Sequence, residues 1–180
     1  MDGGYGPSFT QQPPGRQGQR IMKDTLARKW ERLLRQAMMN ESALAALYAQ
    51  YAELFPEHAG VWTALSRAEL KHADAFLGLL QKNPPPGVEA ALDKFDPEGL
   101  NAVESRIAAM REGARNRNVT RDRAAANAIS MESSLAENLL AVFDSALAGS
   151  DLHKVAGQLL RETRHHRGMV MRLMAETANS

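Results

Sequence analysis

A chain of 180 residues with 44% hydrophobic side chains is one domain's worth of material and can bury a sizeable core. Aromatic residues make up only 6%, and Ala, Leu, Met, Glu and Arg recur throughout, a composition that favours helices and excludes an all-β fold. There is no Cys, which removes disulfides, zinc–thiolate sites, iron–sulfur clusters and Cys nucleophiles together and leaves any metal to Glu, Asp or His.

The net charge of +1 is unevenly spread: residues 1–40 carry seven Lys or Arg against three Asp or Glu, and the remainder carries 15 against 18. No apolar run of about 18 residues occurs, so no transmembrane helix is expected. The first residues also lack the apolar stretch of a secretory leader, and a cytoplasmic protein is expected.

Residues 1–20 are rich in Gly, Pro and Gln. They cannot bury enough surface to offset their ordering entropy and are read as a flexible tail, with residues 21–180 forming the folded domain. Helical periodicity runs over residues 21–55, where Leu26, Trp30, Leu34, Met38, Glu41, Leu44, Tyr48, Tyr51 and Phe55 recur at steps of three and four. Lys and Arg between positions 16 and 35 are interleaved with this apolar face, so they read as a solvated helix surface; neither nucleic acid nor membrane is expected as a partner. Pro56 and Gly60 interrupt the pattern.

A second helix is predicted over residues 61–82, with Trp62, Leu65, Glu69, His72, Phe76 and Leu79 or Leu80 on its stripe, and Asn83-Pro84-Pro85-Pro86-Gly87 stops it. After a connection, Asp96-Pro97 offers an N-cap and a first-position proline for a short helix ending near Arg115. Thr120 is positioned to cap the next helix, whose stripe holds Ala125, Ile129, Glu132, Leu135, Leu139, Val142 or Phe143, and Ala146; Gly149 and Ser150 end it. A last helix over residues 151–176 carries Leu152, Val155, Leu159, Glu162, His165, Met169 and Leu173. Two short turns and one long central link predict an all-α chain: a four-helix bundle of two hairpins, with a short fifth helix in the crossover.

Each of the four long helices places a Glu in its apolar stripe: Glu41, Glu69, Glu132 and Glu162. Glu69 and Glu162 are each followed three residues later by a histidine, His72 and His165, so both members of each pair lie on one helix face. Random order would yield only about 0.4 such pairs from this chain's Glu and His content. His166, one position on, competes with His165. Carboxylates in a dry core are strongly unfavourable unless paired, protonated or coordinated. Four of them with two imidazoles can hold two divalent cations about 4 Å apart, and oxygen and nitrogen donors without sulfur suit iron or manganese, with zinc as a redox-inert substitute. Tyr48, two turns after Glu41 on the same face, can hydrogen-bond a ligand or relay an electron, although a satisfied core tyrosine is the simpler expectation.

A Glu from two helices and Glu-x-x-His from the other two resembles the ferritin-like di-iron carboxylate bundles. Phe55-Pro56, then Trp62-Thr-Ala-Leu-Ser-Arg-Ala-Glu69-Leu-Lys-His72-Ala73, and Ala128-Ile-Ser-Met-Glu132-Ser-Ser-Leu135 are similar to the rubrerythrin-like branch. The resemblance implies two iron ions, bridging roles for Glu69 and Glu162, terminal roles for Glu41 and Glu132, and one iron each for His72 and His165. It implies an oxidoreductase reacting with peroxide or dioxygen and a homo-oligomer, expected as a dimer. The alternative is an iron-storage subunit of a cage or encapsulated assembly. Two features depart from the branch: without Cys there is no rubredoxin domain, so an external electron donor is required, and Leu135 stands where peroxide-reducing members carry a further Glu.

Overall fold

Apolar residues at three- and four-residue spacing are drawn out into helices α1 (Arg16–Leu54), α2 (Ala59–Leu80), α3 (Glu89–Asp93), α4 (Pro97–Arg115), α5 (Arg121–Asp144) and α6 (Asp151–Ala178), with a 3₁₀ turn at Pro56–His58. The computed structural model describes residues 15–93, 97–144 and 151–178. Among these, every regular element is helical, as the composition predicts. None of the described helices is long and apolar enough to cross a membrane. The expected tail lies outside the described residues as far as position 14; its last residues, from Arg16, are already helical. Asp96 and the break at Gly149-Ser150 also lie outside the described residues.

Local chemistry sets the ends. The Phe55 amide donates to the Tyr51 carbonyl at 2.9 Å, and Pro56, which has no amide hydrogen, starts the 3₁₀ turn that folds α2 back on α1. Gly87 has φ +82°, a left-handed conformation that glycine adopts without a Cβ clash, and the Val88 amide there bonds the Pro85 carbonyl at 3.2 Å. At the end of α4 the Asn118 amide reaches the Gly113 carbonyl (2.9 Å) and the Arg117 amide the Ala114 carbonyl (3.0 Å). This is the paired closure of a Schellman motif, except that Arg117 holds the left-handed position at φ +52°. Thr120 caps α5, its hydroxyl accepting from the Arg123 amide at 3.3 Å.

Packing joins α1 with α2 and α5 with α6, and α2 meets α6. The crossover differs from expectation. It contains two helices, and α4, at 19 residues, is a full structural member packed on α1 and α5. The reason lies in α1, which has a second buried stripe beside the expected one: Leu33, Ala37, Asn40 and Leu47, with Leu44 shared between the two. Asn40 Nδ2 donates to the Leu100 carbonyl of α4 at 3.2 Å, and Gln36 Nε2 donates to Glu104 at 2.9 Å. Leu100, Val103, Ile107 and Ala114 are the residues α4 buries.

Candidate metal centre

The inner stripe of α2 is buried as predicted, Trp62, Leu65, Glu69, His72, Phe76 and Leu79 following one seam. Apolar members of such a seam stabilise the fold by about 2 kcal/mol each, whereas an ionised carboxylate set among them costs several. The structure nevertheless buries Glu41 from α1, Glu69 and His72 from α2, Glu132 from α5 and His166 from α6, each at most 4% exposed. Only mutual pairing, protons or cations make that tolerable.

Glu69 lies at the middle. Its Oε2 is 2.8 Å from His72 Nδ1, and its Oε1 is 3.0 Å from His166 Nδ1, which is also 3.5 Å from Glu132 Oε2. The rings of His72 and His166 stack with centroids 5.4 Å apart. The other edge of His72, Nε2, is 2.7 Å from Glu162 Oε2, and Gln158 Nε2 donates to Glu162 Oε1 at 2.9 Å. Tyr48 donates its hydroxyl to Glu132 Oε1 at 2.9 Å. Two donor sets result, Glu41–Glu69–His72 and Glu69–Glu132–His166, each with one atom per residue within 4.8 Å of the others. Glu69 belongs to both.

The electrostatics follow from burial first. Desolvation, reinforced by Glu69 and Glu132, pushes the Glu41 carboxyl well above the ordinary range. Desolvation and the Glu69 charge raise Glu132 to about 7 against the pull of His166 and Tyr48. Burial alone would raise Glu69 as well, but His166 and His72 outweigh it and hold the carboxyl at about 2. Burial would lower His166, yet Glu132 and Glu69 carry it up to about 10, and His72 is raised by Glu69 and Glu162 in the same way. Without ions, then, the centre is a set of imidazolium–carboxylate pairs in which protons supply the compensating positive charge.

The structure brings together Glu41, Glu69, His72, Glu132 and Glu162, but not His165, which is exposed; the imidazole that enters from α6 is His166. The buried seam of α6 runs Leu152, Ala156, Leu159, Thr163, His166, Val170 and Leu173. At 100° per residue, His166 is about 30° from the centre of that face, Glu162 about 70° and His165 about 130°. The Glu-x-x-His spacing favours His165; the seam, with the small residues Ala156 and Thr163 filling it, is the signal that points to His166. Glu162 is correspondingly peripheral, with its side chain 39% exposed and outside both donor sets.

Whether this pocket suits cations can be judged from its unsatisfied atoms. Glu41 Oε2, Glu69 Oε1 and His166 Nδ1 are buried and none has a partner in hydrogen-bond geometry, the 3.0 Å contact between the last two being misaligned. All three are metal-donor atoms and belong to residues of the two sets, so the cluster fits divalent ions held by oxygen and nitrogen. No protein-family model, curated protein or solved structure matches this chain.

Proposed function

We propose that the chain is a ferritin-like, rubrerythrin-type oxidoreductase that holds two iron ions in its interior and reacts with peroxide or dioxygen. The observation that carries this reading is the placement of Glu69, which turns one carboxylate oxygen toward His72 and the other toward His166. A carboxylate with a separate nitrogen donor at each oxygen is the arrangement a bridging ligand needs. Glu41 and His72 would complete one ion's set, and Glu132 and His166 the other's. Glu162 would join from the solvent side through its contact with His72. Iron supplies the valence change, while the chain supplies position and electrostatics. Manganese would satisfy the same donors, and zinc would do so without redox activity.

The chain's own residues do three things in this scheme. Trp62 and Leu65, fully buried on the same seam of α2 as Glu69 and His72, put apolar surface beside the centre and help keep bulk water away. Tyr48 fixes the orientation of Glu132 through its hydroxyl, and Gln158 that of Glu162. Glu41, Glu132 and the two imidazoles carry protons that must leave as ions enter.

Anaerobic reconstitution with Fe(II), removal of free metal and elemental analysis test the reading. About two irons per chain are expected in the parent and none in Glu69→Gln, with unchanged helicity by circular dichroism. Full iron retention by that variant, or none in the parent, would refute it. Stopped-flow oxidation of the ferrous protein by peroxide and by dioxygen then distinguishes the oxidant.

A further inference from the structure

Residues 106–123, which span the end of α4, the turn after it and the start of α5, hold six arginines and no lysine against Glu112 and Asp122. A run of like charge is ordinarily a solvated surface, and part of this one is: Arg115 pairs with Glu112 and Arg121 with Asp122. Arg106 and Arg123 differ. They line a surface cavity of about 320 Å³ with Met110, Asn118, Val119 and Asn127, and no acidic side chain shares it. Among the described residues no carboxylate is in ion-pair contact with either guanidinium, the two acids of the segment being engaged by their own neighbours. The walls are held from behind. Arg106 donates through Nη1 to Ser134 Oγ at 3.1 Å and through Nη2 to Ser130 Oγ at 2.7 Å. These neutral acceptors fix the guanidinium without neutralising it and leave its other N–H groups for a further acceptor. The bond from the Asn118 amide to the Gly113 carbonyl (2.9 Å) closes the rim, Thr120 caps the turn that carries Arg123, and Asn127 Nδ2 donates to the buried Tyr51 hydroxyl at 3.2 Å. Met110 and Val119, partly buried against the core, make an apolar wall.

We propose that this cavity between α4 and α5 binds a small phosphate monoester, with the phosphate between Arg106 and Arg123 and the organic part against Met110 and Val119. Charge is the first reason. Two guanidinium groups without carboxylate partners match a ligand that carries close to two negative charges at neutral pH, which a phosphate monoester does and a phosphodiester or a monocarboxylate does not. Shape is the second: the planar fork of arginine delivers two parallel hydrogen bonds to a pair of phosphate oxygens. Size is the third. The volume stands at the small end of the range for ligand cavities, so it has room for a phosphate and a compact body beyond it. Positive charges gathered in a concave wall also focus their field on an anion more than the same charges spread over a convex surface. None of the lining residues belongs to either donor set of the metal centre, so the inference stands apart from the iron reading.

Isothermal titration calorimetry of the full chain, kept metal-free with a chelator, tests the site with phenyl phosphate as the probe. One saturable site per chain is expected. Binding should be tighter than for inorganic phosphate, because only the ester reaches the apolar wall, and tighter above a pH of about 6 than below it, where the monoester loses its second charge. Methyl phenyl phosphate, a diester with a single charge, should bind about tenfold more weakly. Arg106→Gln and Arg123→Gln should each weaken phenyl phosphate binding about tenfold through the loss of one charged fork. Arg28→Gln, which removes the same charge from the exposed start of α1, should leave the affinity unchanged. No saturable binding in the parent would overturn the site, and an equal loss in Arg28→Gln would reduce it to diffuse attraction between charges. A diester held as tightly as the monoester would overturn the charge match, and inorganic phosphate held as tightly as the ester would overturn the assignment to an organic phosphate. Both cavity arginines are exposed, so their replacement spares the core, and circular dichroism verifies the fold of each variant. No arm contains iron, so failure of this site and failure of the metal reading remain separate results.

Discussion

His165 and His166 are neighbours in sequence with opposite surroundings, one in water and one against Glu69 and Glu132. His166→Ala is expected to lose about one equivalent of bound divalent metal by calorimetric titration, and His165→Ala to keep the parent stoichiometry; the reverse result would return the ligand to the Glu-x-x-His partner. Protonation gives a second expectation. Glu132 at about 7, Glu41 above the ordinary range and His166 at about 10 must all shed protons to accept a metal. Affinity should therefore climb with pH through 7 and onward toward 10, with proton release visible in buffers of different ionisation enthalpy. A flat affinity across neutrality would contradict it. At this scale the sequence was a good guide to carboxylates and a poorer one to imidazoles. Glu41, Glu69 and Glu132 sit among unmistakably apolar neighbours, whereas the α6 face is marked by Ala156 and Thr163, which hydropathy ranks low.

Helix ends allow predictions that involve no metal. Arg117 occupies a left-handed position that costs a side-chain-bearing residue about 1 kcal/mol. Arg117→Gly should stabilise the protein by about that amount, raising the melting temperature by about 2–4 °C in a chain of this size. Gly87→Ala should do the opposite by a similar margin. Nothing lies within 4 Å of the added methyl group, so the whole cost is backbone strain at φ +82°. Urea or thermal denaturation reads both. The long helices were legible because proline and glycine punctuate them and strong periodicity fills them. Two features were not. Helix α3 is five residues held by its neighbours, and the second buried face of α1 is built partly from Ala37 and Asn40, whose burial depends on α4 being there.

Across the whole molecule, the centre couples α1, α2, α5 and α6, so its protonation bears on global stability. Glu132 and His166 are raised on folding, so the stability they contribute is full below their ordinary values and is lost as pH rises, through about 7 for Glu132 and about 10 for His166. Glu69 is lowered, and its contribution, present above the ordinary value of 4.5, fades as pH falls toward about 2. Between pH 4.5 and 7 the ion-free cluster thus becomes a weaker support. Divalent ions should raise the melting temperature more on the alkaline side of neutrality than on the acid side, and saturation at a hundred times Kd adds about 2.7 kcal/mol. Equal shifts on both sides would argue against proton displacement.

Helix α1 meets α4 through Asn40, contributes Glu41 to the centre and, further along, aims Tyr48 at Glu132. Inserting a single residue between positions 41 and 48 would rotate everything after it by about 100° relative to everything before it. Tyr48, Tyr51 and Leu47 would then face the wrong neighbours all at once. Ahead of Trp30 the same helix is mostly exposed, Leu26 being partly buried against the core, and added or deleted residues there would shift mainly surface side chains. Related chains of differing length should therefore place their indels before Trp30 and preserve the count from there to Tyr51, as a ruler that is trimmed at one end but keeps its graduations.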